Sequence, residues 1–124
     1  RLPNVYFLGQ APVADVPRYM AACQVCLLPY KINERTRNIS SLKLYEYLAC
    51  GKPVVSTDVP AAHEVGDVVR VATSDGFVAA IAAALTDEPS AVAARRRVAA
   101  ANTWDQRVEQ ISGILEQALE QRGH

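Results

Sequence analysis

The sequence predicts an α/β fold: a parallel, doubly wound sheet of about four strands, followed by a helical C-terminal part. Two observations favour this fold class. Short, continuously apolar runs alternate with segments whose apolar residues recur every three or four positions, as in amphipathic helices. Continuous apolar runs are typical of parallel strands that helices cover on both faces. After residue 73 the short runs stop and only helical patterns remain.

Four apolar runs are the predicted strands: 5–8, 25–29, 54–57 and 68–71. Gly9 stops the first run, and Pro53 opens the third at a position where a missing N–H does little harm. The segments between these runs are long enough for helical crossovers. Right-handed crossovers between such strands give a parallel sheet.

Five helices are predicted beside these strands: 16–22, 42–50, a helix over Phe77, Ile81 and Leu85, a helix over 90–101, and a last helix from Trp104. Their expected N-terminal caps are short polar residues: Asp15, Ser40 or Ser41, Ser74 or Asp75, and Thr103. Gly51 stands where a helix over 42–50 needs its C-terminal residue.

The last predicted helix carries an apolar stripe: Trp104, Val108, Ile111, Leu115 and Ala118. At its start, Thr103 and Gln106 have the spacing of a capping box. A stripe of this length needs a surface to cover it. We expect that surface to be the sheet of the same domain, with a partner surface as the alternative.

Composition excludes several classes of function. The 124 residues are enough for one domain, and 13 basic residues balance 13 acidic ones, which argues against a nucleic-acid partner. No apolar run approaches the roughly 18 residues of a membrane span. The chain does not begin with methionine and lacks a signal-peptide pattern. We expect a piece of a longer, cytoplasmic polypeptide.

Three cysteines, Cys23, Cys26 and Cys50, are too few for a disulfide framework. Cys23 and Cys26 form a CxxC, but a second pair that would complete a zinc site is missing from the sequence. The pair closes a predicted helix and enters a predicted strand, whereas a redox CxxC opens a helix. We expect buried structural thiols and no metal.

One polar loop is the most informative candidate site. Residues 31–38 lead into Ser40, Ser41 and Lys43 at the start of a predicted helix, on the side where parallel strands end. Free amides, two hydroxyls and an ammonium group there would hold a phosphate. Residue types alone favour the alternative, an ordinary serine cap beside a solvated lysine.

Glu46 follows on the same helix, between two tyrosines. Its carboxylate has the two acceptor oxygens that suit the vicinal diol of a ribose. A pair with Lys43 at i, i+3 on an exposed face is the alternative. His63 is not accompanied by a nucleophile at recognisable spacing, and we expect it to be structural.

Residues 41–57, S-L-K-L-Y-E-Y-L-A-C-G-K-P-V-V-S-T, resemble the nucleotide-binding motif of family 4 glycosyltransferases, roughly P-x-K-x-x-E-Y-x-A-x-G-x-P-V-V. The segment N-V-Y-F-L-G at 4–9 resembles that family's v-x-F-x-G strand. Trp104-Asp105 resembles its terminal W-[DE]. The resemblance covers nearly the whole chain.

The resemblance implies the GT-B architecture of two Rossmann-like lobes, in which the C-terminal lobe binds most of the donor. Residues 1–124 would be part of that nucleotide-sugar-binding lobe, with a helical tail at about 75–122. The implied reaction is sugar transfer with retention of configuration, from a UDP- or GDP-sugar and without metal or further cofactor. An N-terminal lobe would bind a sugar or lipid-linked acceptor. Peripheral association with a membrane through that lobe is compatible with the resemblance. We therefore expect no transfer by this chain alone and assign it no catalytic residue.

The resemblance also assigns site residues. Ser40, Ser41, Leu42 and Lys43 would bind the diphosphate, and Glu46 the ribose. The family's E-x7-E pattern places its first glutamate, which contacts the donor sugar, where this chain has Asn38. Glu34 in the same loop is the other candidate for that contact. Ser40-Ser41 replaces a glycine pair.

Two alternatives belong to other classes of function. Asn38 in place of glutamate favours a lobe that binds a nucleotide or a partner chain without turnover, as in a two-chain or degenerate transferase. A nucleotide-sugar epimerase shares the architecture and would carry an acid/base set elsewhere.

Overall fold

A computed structural model describes residues 2–123 of the chain. Within these residues the sheet has three short parallel strands in the order β1–β2–β3: β1 Cys26–Leu28, β2 Val54–Ser56 and β3 Arg70–Val71. In the register, Cys26 lies opposite Val54, and Val55 lies opposite Arg70. The structure thus confirms an α/β fold with a parallel sheet.

Seven α-helices accompany the sheet in the described residues: α1 Val16–Ala22, α2 Glu34–Arg37, α3 Leu42–Ala49, α4 Pro60–His63, α5 Phe77–Ala84, α6 Ser90–Ala100 and α7 Trp104–Arg122. Two 3-10 turns, Val13–Asp15 and Gly66–Val68, precede α1 and β3. The five predicted helices are confirmed as α1, α3, α5, α6 and α7. The two short helices α2 and α4 were not predicted.

The core is built around the central strand β2, whose three residues are all buried and against which α3 and α5 pack. Leu44 and Leu48 of α3 are buried beside it, and α3 packs in turn against α6. Gly51 ends α3 with a φ of 73°, as its position predicts. A Cβ on Gly51 would lie 2.7 Å from Cγ1 of Val92 on α6, so glycine also permits this close packing.

The predicted strand at residues 5–8 is not formed. Its four side chains are exposed, Phe7 by 84%, and the described sheet consists of β1, β2 and β3, with none of which this segment pairs. The edge strand β1 is likewise covered on one face only: Cys26 and Leu28 are buried, whereas Leu27 is 39% exposed. Within the described residues, the face of β1 that carries Leu27 is thus left partly open.

Two predicted caps are replaced by backbone turns. The side chain of Asp15 caps no amide of α1, because the 3-10 turn Val13–Asp15 leads directly into the helix. Gly76, not Ser74 or Asp75, stands at the N-cap of α5. The Thr103 cap is confirmed: its Oγ1 accepts the Gln106 amide at 3.3 Å.

The apolar stripe on α7 does not lie on the sheet, contrary to our expectation. Trp104 is 73% exposed, and none of the described side chains of α7 is buried. Helices α3 and α5, not α7, pack against β2. Near the start of α7, Arg107 donates to Asn102 Oδ1 at 2.9 Å and to the phenol oxygen of Tyr45 on α3 at 3.5 Å. No helix in the described part of the chain is both long and apolar enough to cross a membrane.

The cysteines differ in exposure. Cys26 is buried, Cys50 is half-buried, and Cys23 is exposed, so the prediction of buried thiols is wrong for Cys23. The placement of the CxxC is confirmed, since α1 ends before Cys23 and β1 begins at Cys26. Burial raises the pKa of the Cys26 thiol to about 11. Among residues 2–123, no group of three potential ligands is arranged to hold a metal ion.

Candidate functional site

The carboxyl ends of β1 and β2 meet the start of α3, and a chain of hydrogen bonds joins the three elements. Thr57, just after β2, donates its Oγ1 hydrogen to the carbonyl of Tyr30 at 2.8 Å. The phenol oxygen of Tyr30 lies 3.0 Å from Oγ of Ser41, the residue before α3. Parallel sheets bind their ligands at this edge. The first turn of α3 is therefore fixed at the place where a ligand of this fold is expected.

The first amides of α3 are open. Ser41 is extended, with φ −94° and ψ 99°, and its side chain accepts no helix amide. Its carbonyl accepts the Leu44 amide at 3.1 Å, which leaves the amides of Leu42 and Lys43 without a partner among the described residues. Such amides, at the positive end of the helix dipole, bind anions.

Two opposite charges stand on the exposed face of this turn. Lys43 and Glu46 are both exposed, and among the described residues no ion pair joins them. The alternative interpretation of Glu46 as the partner of Lys43 is therefore not realised. Lys43, in the first turn, and Glu46, one turn further along α3, are both exposed to a ligand.

Of the two serines, only Ser40 offers a hydroxyl to solvent. Ser41 is 5% exposed, and its hydroxyl is engaged by Tyr30. The backbone amides, and not two hydroxyls, are thus the main donors at this helix start. Leu42 is 61% exposed and adds an apolar surface beside them.

The polar loop before α3 contains a short helix that we did not predict. Asn33 caps α2 by accepting the Thr36 amide at 3.0 Å, and Oγ1 of Thr36 accepts the Asn33 amide at 3.0 Å. The same Thr36 hydroxyl donates to the Lys31 carbonyl at 2.6 Å. The pattern N-x-x-T at 33–36 is the sequence signal that would have revealed this reciprocal cap.

Glu34 and Asn38 stand at the two ends of α2. Asn38 donates its Nδ2 hydrogen to the Glu34 carbonyl at 3.1 Å, and both side chains are exposed. The structure thus brings the two candidates for the donor sugar into one turn of helix.

Tyr30 and Thr57 are site residues that our sequence analysis missed. Tyr30 directly follows the predicted strand 25–29, and Thr57 ends the predicted strand 54–57. A polar residue at the carboxyl end of a parallel strand is the signal that would have found them. His63 is not buried: its Nε2 lies 2.7 Å from Oδ1 of Asp58, and both side chains are exposed. Burial, with Cys26 and Glu46 nearby, raises the pKa of the Tyr47 phenol.

Comparison with known proteins gives one family and one informative relative. Residues 1–87 match the family described as glycosyl transferases group 1. The chain is 44% identical over 61 residues to a protein of Bacillus subtilis (strain 168) named "Putative teichuronic acid biosynthesis glycosyltransferase TuaH". That match covers 49% of this chain but 15% of TuaH, so the chain spans a small part of that relative's length. No solved structure matches the chain.

The matched region contains every element of the site. It extends from the N-terminal segment through β1, α2, α3 and β2 to the end of α5, and it includes the open amides of α3 with Lys43 and Glu46. It covers well over half of the chain. The chain therefore belongs to the glycosyl transferases group 1 family.

Proposed function

We propose that this chain is part of the donor-binding lobe of a sugar-nucleotide-dependent glycosyltransferase. The observation that carries the proposal is the open start of α3 at the carboxyl edge of the parallel sheet, with Lys43 and Glu46 exposed on one turn. Membership of a glycosyl transferase family supports it. In this proposal residues 1–124 belong to a Rossmann-like, doubly wound C-terminal lobe of GT-B architecture, with a helical tail at about 75–122.

The diphosphate of the donor is proposed to lie at the start of α3. The open amides of Leu42 and Lys43 and the Lys43 ammonium group would then face its oxygens, with the amides of Ser40 and Ser41 beside them. When the sugar leaves, negative charge develops on the nucleoside diphosphate. Preformed amide dipoles stabilise that charge without reorganising, and the Lys43 ammonium group adds a positive charge, so this arrangement lowers the barrier to transfer.

The remaining donor contacts follow from the same helix and from α2. Glu46 is proposed to accept the two ribose hydroxyls, because a carboxylate offers two oxygens to a vicinal diol. Asn38 or Glu34, which stand together on α2, are proposed for the donor sugar. We propose a UDP- or GDP-sugar as the donor and transfer with retention of configuration, without a metal ion or further cofactor. A sugar or lipid-linked acceptor would bind another lobe of the protein.

A panel of UDP-, GDP- and ADP-sugars, with the matching nucleoside diphosphates, tests this proposal by thermal shift of the intact protein. A ligand that binds only the folded state raises the melting temperature. We expect one base to be selected and Lys43→Gln to reduce its shift. Arg97→Gln, which removes an exposed charge from α6, is the matched control and should leave the shift unchanged. If no nucleotide stabilises the protein, the proposal is wrong.

A second function is favoured by Asn38 alone: a lobe that binds nucleotide or a partner chain without turnover. Asn38 lacks the charge of the glutamate that the resemblance expects, and its amide is bonded within α2. Donor hydrolysis or transfer by the intact protein would exclude this function. Nucleotide binding with neither reaction would favour it. We expect residues 1–124 alone not to transfer sugar, because donor contacts without acceptor contacts do not align the reacting groups.

A further inference from the structure

A serine that precedes a helix ordinarily caps it by accepting an amide hydrogen of the first turn. Ser41 precedes α3 but does not do so. Its Oγ instead lies 3.0 Å from the phenol oxygen of Tyr30. The pair is largely enclosed, since Ser41 is 5% exposed and Tyr30 is half-buried against the core. The Ser41 side chain is thus hydrogen-bonded to the Tyr30 phenol and does not form the cap of α3 that the sequence predicts.

We propose that Tyr30 is a positioning residue: its phenol holds the Ser41 hydroxyl away from α3 and so keeps the Lys43 amide open for the donor diphosphate. The inference rests on the proposed function of the α3 start. It assigns to Tyr30 no contact with the ligand.

The position of Tyr30 is itself set by the sheet. Its amide donates to the Leu28 carbonyl at 3.0 Å, and its carbonyl accepts from Oγ1 of Thr57 at 2.8 Å. Both anchors are in the backbone of Tyr30 and do not involve the phenol. Tyr30→Phe therefore removes the bond to Ser41 while it keeps the anchors and the packed ring.

Without the phenol, the Ser41 hydroxyl is free to accept from the Lys43 amide, the open donor that a serine at this position caps. This internal cap competes with the ligand for that donor. A serine cap stabilises a helix by about 1 kcal/mol, which corresponds to about fivefold in affinity when a ligand must displace it. The loss of ligand affinity in Tyr30→Phe therefore depends on the Ser41 hydroxyl, and it should vanish in a variant that lacks this hydroxyl.

A double-mutant cycle on the intact protein tests this dependence. We would measure by calorimetry the binding of inorganic pyrophosphate and of the nucleoside diphosphate selected by the thermal-shift panel. Tyr30→Phe should weaken both by about fivefold, while the binding of the matching nucleoside stays unchanged. In a Ser41→Ala background the same Tyr30→Phe change should cause no further loss. The melting temperature of each variant reports whether the fold is kept.

Three outcomes would overturn the inference. If Tyr30→Phe lowers the affinity for pyrophosphate equally with Ser41 present and in the Ser41→Ala background, Tyr30 acts by packing or by direct contact with the ligand. If Tyr30→Phe lowers the affinity in neither background, its phenol does not control the amide. If Lys43→Gln weakens pyrophosphate binding but Tyr30→Phe does not, the proposed function stands and this inference fails. If the unmodified protein binds neither pyrophosphate nor any nucleoside diphosphate, the proposed function fails and the inference with it.

Discussion

Asp87 pairs with the guanidinium group of Arg95, and this ion pair lies inside the protein: the two side chains are 11% and 5% exposed. The same carboxylate also pairs with Arg70 of β3. Arg95 Nη1 donates to the Gly51 carbonyl at 3.3 Å, so α6 holds the C-terminal end of the helix whose first turn is the candidate site. One carboxylate thus links β3, α6 and α3.

Asp87→Asn should lower the free energy of unfolding by about 3–5 kcal/mol, because it leaves the buried Arg95 charge without its counter-ion. Urea denaturation of the intact protein and its variant measures the difference. Arg70→Gln is the matched control. Its side chain is 45% exposed, and exposed pairs contribute about 1 kcal/mol or less. Equal effects of the two substitutions would contradict a special role for the buried pair.

Gly51→Ala should destabilise the protein by more than the cost of its backbone conformation. With φ at 73°, an L-residue costs about 1–2 kcal/mol, and the added Cβ would also meet Val92 Cγ1 at 2.7 Å. Gly66→Ala separates the two effects. Gly66 has φ 71° with no atom within 4 Å of the added Cβ, so it shows the conformational cost alone. Urea denaturation should rank Gly51→Ala as the more harmful; a reversed order would refute the close α3–α6 contact.

The three thiols should react at different rates with iodoacetamide at pH 8. Cys23 is exposed and should be alkylated in the folded protein. Cys26 should resist, because it is buried and its raised pKa of about 11 keeps it protonated. Peptide mass spectrometry before and after unfolding in urea distinguishes the sites. Rapid alkylation of Cys26 in the folded state would contradict its placement in β1.

The raised pKa of Cys26 also predicts that the protein becomes less stable at alkaline pH. The unfolded thiol loses its proton near its usual value of 9.0, whereas the folded one keeps it up to about 11. The contribution of the protonated Cys26 thiol to the free energy of unfolding is therefore fully present below pH 9.0 and is lost as the pH rises through about 11. Cys26→Ala should flatten the fall of the urea midpoint over this range.

The elements of the central β–α–β unit could be predicted because their signals are local. The run at 54–57, the helix at 42–50 and the glycine that ends it are each set by residues adjacent in sequence, and the structure confirms all three. Such signals also revealed that the helix start faces the carboxyl edge of the sheet.

The remaining features depend on contacts between distant residues. Residues 5–8 have the composition of a strand, but a strand forms only where a neighbour pairs with it. The stripe of α7 has helical periodicity, and periodicity does not say which surface covers it. The Tyr30–Ser41 bond joins residues 11 positions apart, so a serine that local rules make a cap serves another partner. Arg95 is likewise buried through contacts that local sequence rules do not predict, with Asp87 and with the Gly51 carbonyl.

Glu46 offers the sharpest test of the candidate site, because it separates binding from packing at one exposed residue. If its carboxylate accepts both ribose hydroxyls, Glu46→Gln keeps the shape and loses the charge. Hydrogen bonds to a charged group contribute about 1.5–3 kcal/mol each, less when partly solvated. We therefore expect the affinity of the intact protein for its nucleoside diphosphate to fall by about tenfold or more. Glu109→Gln, on the exposed surface of α7, should leave it unchanged.

A 2′-deoxy nucleotide completes the test of Glu46, since it removes the same contact from the ligand side. The unmodified protein should bind the deoxy nucleotide more weakly than the parent nucleotide. Glu46→Gln should then lower the affinity for the deoxy nucleotide much less, because one contact is not lost twice. The melting temperature should stay nearly constant, because exposed substitutions change stability by about 0.5 kcal/mol or less. If Glu46→Gln lowers the affinity for the deoxy nucleotide as much as it lowers the affinity for the parent nucleotide, Glu46 does not contact the ribose. The assignment of the ribose to α3 then fails.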